Sequence, residues 1–126
     1  MAPRAGTLTQ RDVPTCGFTE RVDAVHERVQ AAGWDECVVV NNARVVLGRL
    51  HQQMFDSGPG AVVGAVMEVG PTTIRPSTPL KAMLRRMQKG KTDSLLVTTS
   101  NGELIGVLNR RDVEQAASAT ADGTRE

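Results

Sequence analysis

Apolar and polar positions along the chain follow the same succession of periods twice. Val22, Val25, His26 and Val29 recur at i, i+3, i+4 and i+7, which predicts an amphipathic helix. Thr19 opens that helix, with Glu20 in its first turn, and Ala31-Ala32-Gly33 closes it. Cys37-Val38-Val39-Val40 is a β-branched run expected as a buried strand. A turn at Asn41-Asn42-Ala43-Arg44 leads to a second strand at Val45-Val46-Leu47, and Gly48 to Asp56 leaves it towards a helical turn. Ser57-Gly58-Pro59-Gly60 reads as a linker.

Beyond the linker the order returns. Ala61 to Met67 is an apolar lead-in, and Thr72-Thr73-Ile74 a short strand. Ser77-Thr78-Pro79 starts a helix whose inner stripe is Leu80, Met83, Leu84 and Met87, ending at Gly90. Ser94 to Val97 and Glu103 to Ile105 make a hairpin about Ser100-Asn101-Gly102. Gly106 begins a tight turn into a final helix that runs to Ala119. Met1 to Leu8 has no period and is expected as a loose end, with a short extended segment from Arg11 to Phe18.

The halves superpose without a gap at one constant offset, the spacing of Gly48 and Gly106. Thr15 and Thr73, Arg28 and Arg86, Asp35 and Asp93, Val39 and Val97, and Leu50 and Leu108 keep that offset. An internal duplication with identical element order follows, and units this small should pack against each other. The division expected is a flexible N-terminus at 1–8, a first repeat at 9–56, a linker at 57–64, a second repeat at 65–118 and a flexible tail at 119–126.

Composition narrows the function. A formal net charge of +1 gives no electrostatic case for nucleic acid or an anionic membrane, and Phe18, Trp34 and Phe55 are too few for a base-stacking platform. No apolar run reaches bilayer length and no signal-peptide pattern opens the chain, so a cytoplasmic address is expected. Cys16 and Cys37 sit in apolar surroundings and are read as small buried hydrophobes, and no nucleophile–base pairing supports an enzyme built on either. His26 and His51 lack ligand spacing, so no metal site is expected. His26 reads as a core or interface histidine rather than a pH sensor. Lys81, Arg85, Arg86, Lys89 and Lys91 read as a solvated helix face, with partner binding as the other reading.

The richest stretch chemically is Gly106-Val107-Leu108-Asn109-Arg110-Arg111-Asp112. Asn109 suits a helix N-cap, with the Asp112 carboxylate three residues on. The same residues suit a ligand: an acidic side chain for a ribose diol, and arginines and free N–H groups for phosphate. Capping and binding both remain open for Asp112, as do phosphate contact and plain solvation for the arginines.

A duplicated strand–helix–strand–strand–helix unit ending in Gly-x-apolar-[Ser/Thr]-x-x-Asp resembles the CBS domain in its tandem form, the Bateman module. The second copy carries the clearer match, through Val66-Met67, Thr73 to Leu80, Leu95-Leu96-Val97 and Gly102 to Asp112, and the two copies span about Thr9 to Ala117. The resemblance implies a mixed α+β fold of two βαββα repeats about a pseudo-two-fold axis. It also implies regulation rather than catalysis. Such modules bind AMP, ADP, ATP or S-adenosylmethionine in clefts between the copies, form flat homodimers and signal to an effector protein, without a resident cofactor. Carried over by motif position, Asp112 meets the ribose hydroxyls and Asn109 stands at the Ser/Thr position. Thr73, Ile74, Leu95 and Leu96 flank the adenine, and Arg110 and Arg111 face phosphate. In the first copy Met54 stands at the Asp position and His51 at the Ser/Thr position, which removes the diol acceptor there. One conventional nucleotide site per chain is therefore expected. The rival reading is a ligand-free dimerisation or interaction module.

Overall fold

A computed structural model describes residues 3–57, 60–90 and 93–123. Helix α1 is Ala5–Leu8, followed by β1 (Thr15–Cys16), α2 (Val22–Ala31), β2 (Cys37–Val40), β3 (Val46–Leu50) and α3 (Gln52–Ser57). Then come α4 (Val63–Val66), β4 (Glu68–Val69), β5 (Thr73–Ile74), α5 (Leu80–Gly90), β6 (Ser94–Thr98), β7 (Leu104–Asn109) and α6 (Arg110–Gly123). The mixed α+β class and the duplicated order both hold, with six helices and two sheets among the described residues. Gly58 and Pro59 of the expected linker, Lys91 of the basic run, Met1, Ala2 and the last residues of the tail lie outside them.

The chain divides into two units. The first is Asp12–Pro71 with Asn101–Leu104; the second is Met1–Arg11, Thr72–Ser100 and Ile105–Glu126. In the first, a four-stranded sheet runs β1-β2-β3-β4, with β1 parallel to β2 and the other pairs antiparallel. In the second, a three-stranded sheet runs β5-β6-β7, with β5 parallel to β6. Each unit has its own core. Cys16, Val22, Val25, Val29, Cys37, Val39, Leu50, Phe55 and Val63 fill the first. Ile74, Leu80, Met83, Met87, Leu95, Val97, Leu108, Val113 and Ala5 fill the second. Every member of one set stands at the repeat offset from a member of the other, so the duplication extends to the packing of side chains.

That correspondence reaches residues 5–8, where a loose end is expected. Ala5 is fully buried, and the N–H groups of Ala5 and Gly6 donate to the Thr78 and Pro76 carbonyls at 3.0 and 2.8 Å. The turn is ordered because these donors, left over at a helix start, find acceptors in the second unit. In the first unit Val63 and Gly64 donate in the same way to Glu20 and Phe18, both at 2.8 Å. Thus α1 and α4 are equivalent elements. Each lies in the sequence ahead of one repeat and packs in the unit built on the other.

Three boundaries differ from expectation. Helix α2 begins at Val22 rather than after Thr19, because residues 17–20 close a turn, in which the Glu20 N–H donates to the Gly17 carbonyl at 3.2 Å and the Glu20 carboxylate accepts the Gly17 N–H at 2.7 Å, and Arg21 is extended. The final helix runs on to Gly123, so helical backbone replaces the start of the expected tail. Strand β7 continues through Gly106 to Asn109, with no turn between it and α6. Gly106 is glycine because another chain segment crosses it. A Cβ there would fall onto the Gln10 carbonyl oxygen and 2.5 Å from Thr9 Cγ2. At Gly48, its equivalent, a Cβ would meet Met67 Sδ at 2.5 Å and the Glu68 carbonyl oxygen at 2.7 Å.

Candidate functional site

The crossing at Gly106 also assembles the chemistry. Gln10 and Val107 exchange backbone hydrogen bonds of 2.8 and 2.9 Å. This pairing sets the Gln10 side chain beside α6, where its Nε2 donates to Asp112 Oδ2 at 3.1 Å. A cleft of about 560 Å³ opens there, lined by Gln10, Asp93, Asn109, Arg110, Arg111, Asp112 and Glu114. Asn109 is the last strand residue and Arg110 the first helical one, so the positive dipole end of a long helix points at the cleft.

The side chains there divide into engaged and open. The Arg110 N–H donates to the Asp93 carbonyl at 2.7 Å, its Nε lies 3.3 Å from Glu114 Oε2, and its guanidinium reaches Asp93 Oδ1 at 4.0 Å. Arg111 is exposed and has no ion pair among the described residues. Asp112 is half-buried and engages only one carboxylate oxygen among them. A carboxylate with a free oxygen, beside an unspent arginine, can accept hydrogen bonds from a diol and leave a cation for an anionic group.

The expected site residues are only partly brought together. Asn109, Arg110, Arg111 and Asp112 line this cleft. Thr73 and Ile74 do not: they line a separate hollow with Arg75, Thr78, Ala82, Arg85 and Arg86. Leu95 and Leu96 are almost wholly buried in the middle strand of the second sheet and line neither space. Gln10, Asp93 and Glu114 are not picked out by the sequence motif. For Gln10 a signal exists in the repeat offset, which pairs it with Glu68, the residue opposite Arg49 across β3 and β4.

In the first unit the equivalent place is altered. Met54 Sδ accepts the His51 N–H at 3.2 Å, and His51 Nε2 lies 3.5 Å from Glu68 Oε1. The thioether occupies the local donor and offers nothing to a diol. His26, expected on an apolar face, stacks on Phe55 with ring centroids 4.6 Å apart, and its buried Nε2 has no hydrogen-bond partner among the described residues. Cys16 and Cys37 are both buried on adjacent parallel strands. The neighbouring Cys16 and burial together push the Cys37 thiol well above the ordinary range. No group of three metal-ligating side chains occurs among the described residues, and none of their helices is long and apolar enough to cross a membrane.

Residues 63–119 match the family model of the CBS domain. The fold is that of CBS-domain pairs in solved structures. The CBS domains of a transcriptional regulator from Streptococcus pneumoniae share 22% identity, with 89% of this chain and 97% of that chain covered and a TM-score of 0.79. CBSX2, a CBS-pair protein from Arabidopsis thaliana, solved in complex with AMP, shares 21%, with 94% and 98% covered and a TM-score of 0.82. The CBS domain pair of protein MJ0100, in complex with 5′-methylthioadenosine and S-adenosyl-L-methionine, shares 9%, with 95% and 99% covered and a TM-score of 0.82. No curated protein matches in sequence.

Proposed function

We propose that this chain, a CBS-domain protein by its match at residues 63–119 and by its fold, is a regulatory module that binds an adenosine-containing ligand at the α6 cleft of its second unit. The observation that carries the reading is the Asp112 carboxylate, half-buried at the mouth of a helix N-terminus with one oxygen held by Gln10 and the other open. In this reading both ribose hydroxyls donate to Asp112, the Asn109 amide orients the sugar, and Arg111 meets phosphate or another anionic group. Complexes of similarly folded proteins with AMP and with S-adenosyl-L-methionine support an adenosine ligand. Binding would shift the population of conformations that an effector protein reads, the chain acting as a cytoplasmic homodimer and contributing no chemistry of its own.

A thermal-shift panel of AMP, ADP, ATP, S-adenosylmethionine and NAD tests this, with Asp112→Ala alongside. A ligand selective for the folded state at a hundredfold excess over its dissociation constant adds about 2.7 kcal/mol of stability. One adenosine ligand is expected to raise the melting temperature of the natural chain and to leave the variant unmoved. No shift from any of the five at millimolar concentration would refute the reading and favour a ligand-free dimerisation module, to which the altered Met54 site already inclines the first unit.

A further inference from the structure

We infer a second, purely cationic ligand site in the hollow of about 460 Å³ beside β5 and α5, suited to a chain of linked phosphates. Arg75, Arg85 and Arg86 all line it, no acidic side chain among the described residues does, and it shares no residue with the Asp112 cleft. None of the three guanidiniums has a carboxylate within 4.0 Å among the described residues. Their contacts are neutral: Arg86 Nη2 donates to the Thr73 carbonyl at 2.9 Å, and Arg75 Nη1 to Thr98 Oγ1 at 2.7 Å. These bonds hold two of the forks in place while leaving most of their N–H groups unused. Three like charges facing one space repel each other, and a multiply charged anion relieves that repulsion while using the free donors.

The first unit shows which of these arginines the fold itself needs. At the repeat offset, Arg28 stands for Arg86 and makes the same bond, Nη2 to the Thr15 carbonyl at 3.0 Å. That arginine fastens the helix to the strand in both units. Arg75 and Arg85 have no such duty, because Gly17 and Glu27 replace them on the same scaffold. Thr78 corresponds to Glu20, which pairs with Arg28 at 3.0 Å and neutralises it. One copy of the face therefore carries two acids against one arginine, and the other three arginines against none. Neither a diol-accepting carboxylate nor an aromatic ring lines the hollow, so recognition falls on the phosphates and not on a nucleoside.

Calorimetric titration of the full chain with inorganic triphosphate tests the site. Saturable binding is expected that weakens with added salt, persists in Asp112→Ala and drops at least about tenfold in Arg85→Glu. Arg75→Gly should weaken it as well. Both substitutions install the residue that the first unit already carries, and circular dichroism checks that folding is kept. An ATP titration of Asp112→Ala distinguishes the sources: affinity equal to that of triphosphate assigns a free phosphate chain, and tighter binding a nucleotide's tail. Absence of heat at millimolar triphosphate would overturn the assignment, as would equal affinity in Arg85→Glu, or loss of binding in Asp112→Ala alone. The site stands or falls independently of the adenosine reading.

Discussion

Gly106→Ala tests most directly how the second unit is closed. The added methyl would sit on the Gln10 carbonyl oxygen and 2.5 Å from Thr9 Cγ2, so a backbone, not a flexible side-chain end, has to move. Forced overpacking of this kind costs about 1–3 kcal/mol. If the crossing segment yields, the two Gln10–Val107 backbone bonds lengthen or break, adding about 0.5–1.5 kcal/mol each. The total comes to about 2–6 kcal/mol, a large share of what a domain of this size possesses. Urea unfolding followed by circular dichroism gives the number, with the slope against denaturant checking that the transition stays two-state. Gly60→Ala, where nothing lies within 4 Å of an added Cβ, is the control in the full chain and should cost less than about 0.5 kcal/mol. A loss below about 0.5 kcal/mol in Gly106→Ala would refute the crossing as the reason for glycine.

Two further outcomes are expected. Arg49 and Glu36 form a buried ion pair, Nη2 to Oε1 at 2.6 Å, so Glu36→Ala should cost about 3–5 kcal/mol by taking the carboxylate away from a buried guanidinium. The double variant Glu36→Ser/Arg49→Val, which installs the second unit's Ser94 and Val107, should stay within about 1 kcal/mol of the natural chain, and denaturant titration of both decides. The Arg28 guanidinium, and then the Gly17 N–H, hold the Glu20 carboxyl below its ordinary 4.5. A depressed carboxylate stabilises the fold above its unfolded value and loses that contribution as pH falls through its folded one. The stability gap between the natural chain and Glu20→Gln should thus be present at neutral pH and close below about pH 4.5, small throughout because the pair is half exposed. A gap unchanged down to pH 3 would contradict the pairing.

Much of this is legible from periods alone. The helix stripe Leu80, Met83, Met87 and the run Cys37 to Val40 announce their elements because burial dictates them. The constant offset between the halves is visible for the same reason, since equivalent core positions must stay apolar. What escapes lies where the determinant is another segment. The short run Ala5 to Leu8 carries too little pattern to show a helix, and only its offset to Val63 to Val66 marks it. Gly106 reads as a turn residue because a glycine's own sequence context is silent about what crosses it. Thr73 and Ile74 precede a helix in the motif, yet tertiary packing sets them by a different hollow from Asp112, and Gln10 enters the cleft from the opposite end of the sequence.

The interchange of α1 and α4 means that neither half of this chain is a self-sufficient folding piece. Cleavage between the repeats would yield two fragments, each holding the helical turn that the other requires and missing its own. Separately they should be poorly folded, and mixed they should complement each other. An unduplicated copy could recover its missing turn only from a second identical chain. Joining two copies in tandem replaces that bimolecular exchange with an intramolecular one, at an effective concentration set by the connecting residues and not by the number of molecules in solution.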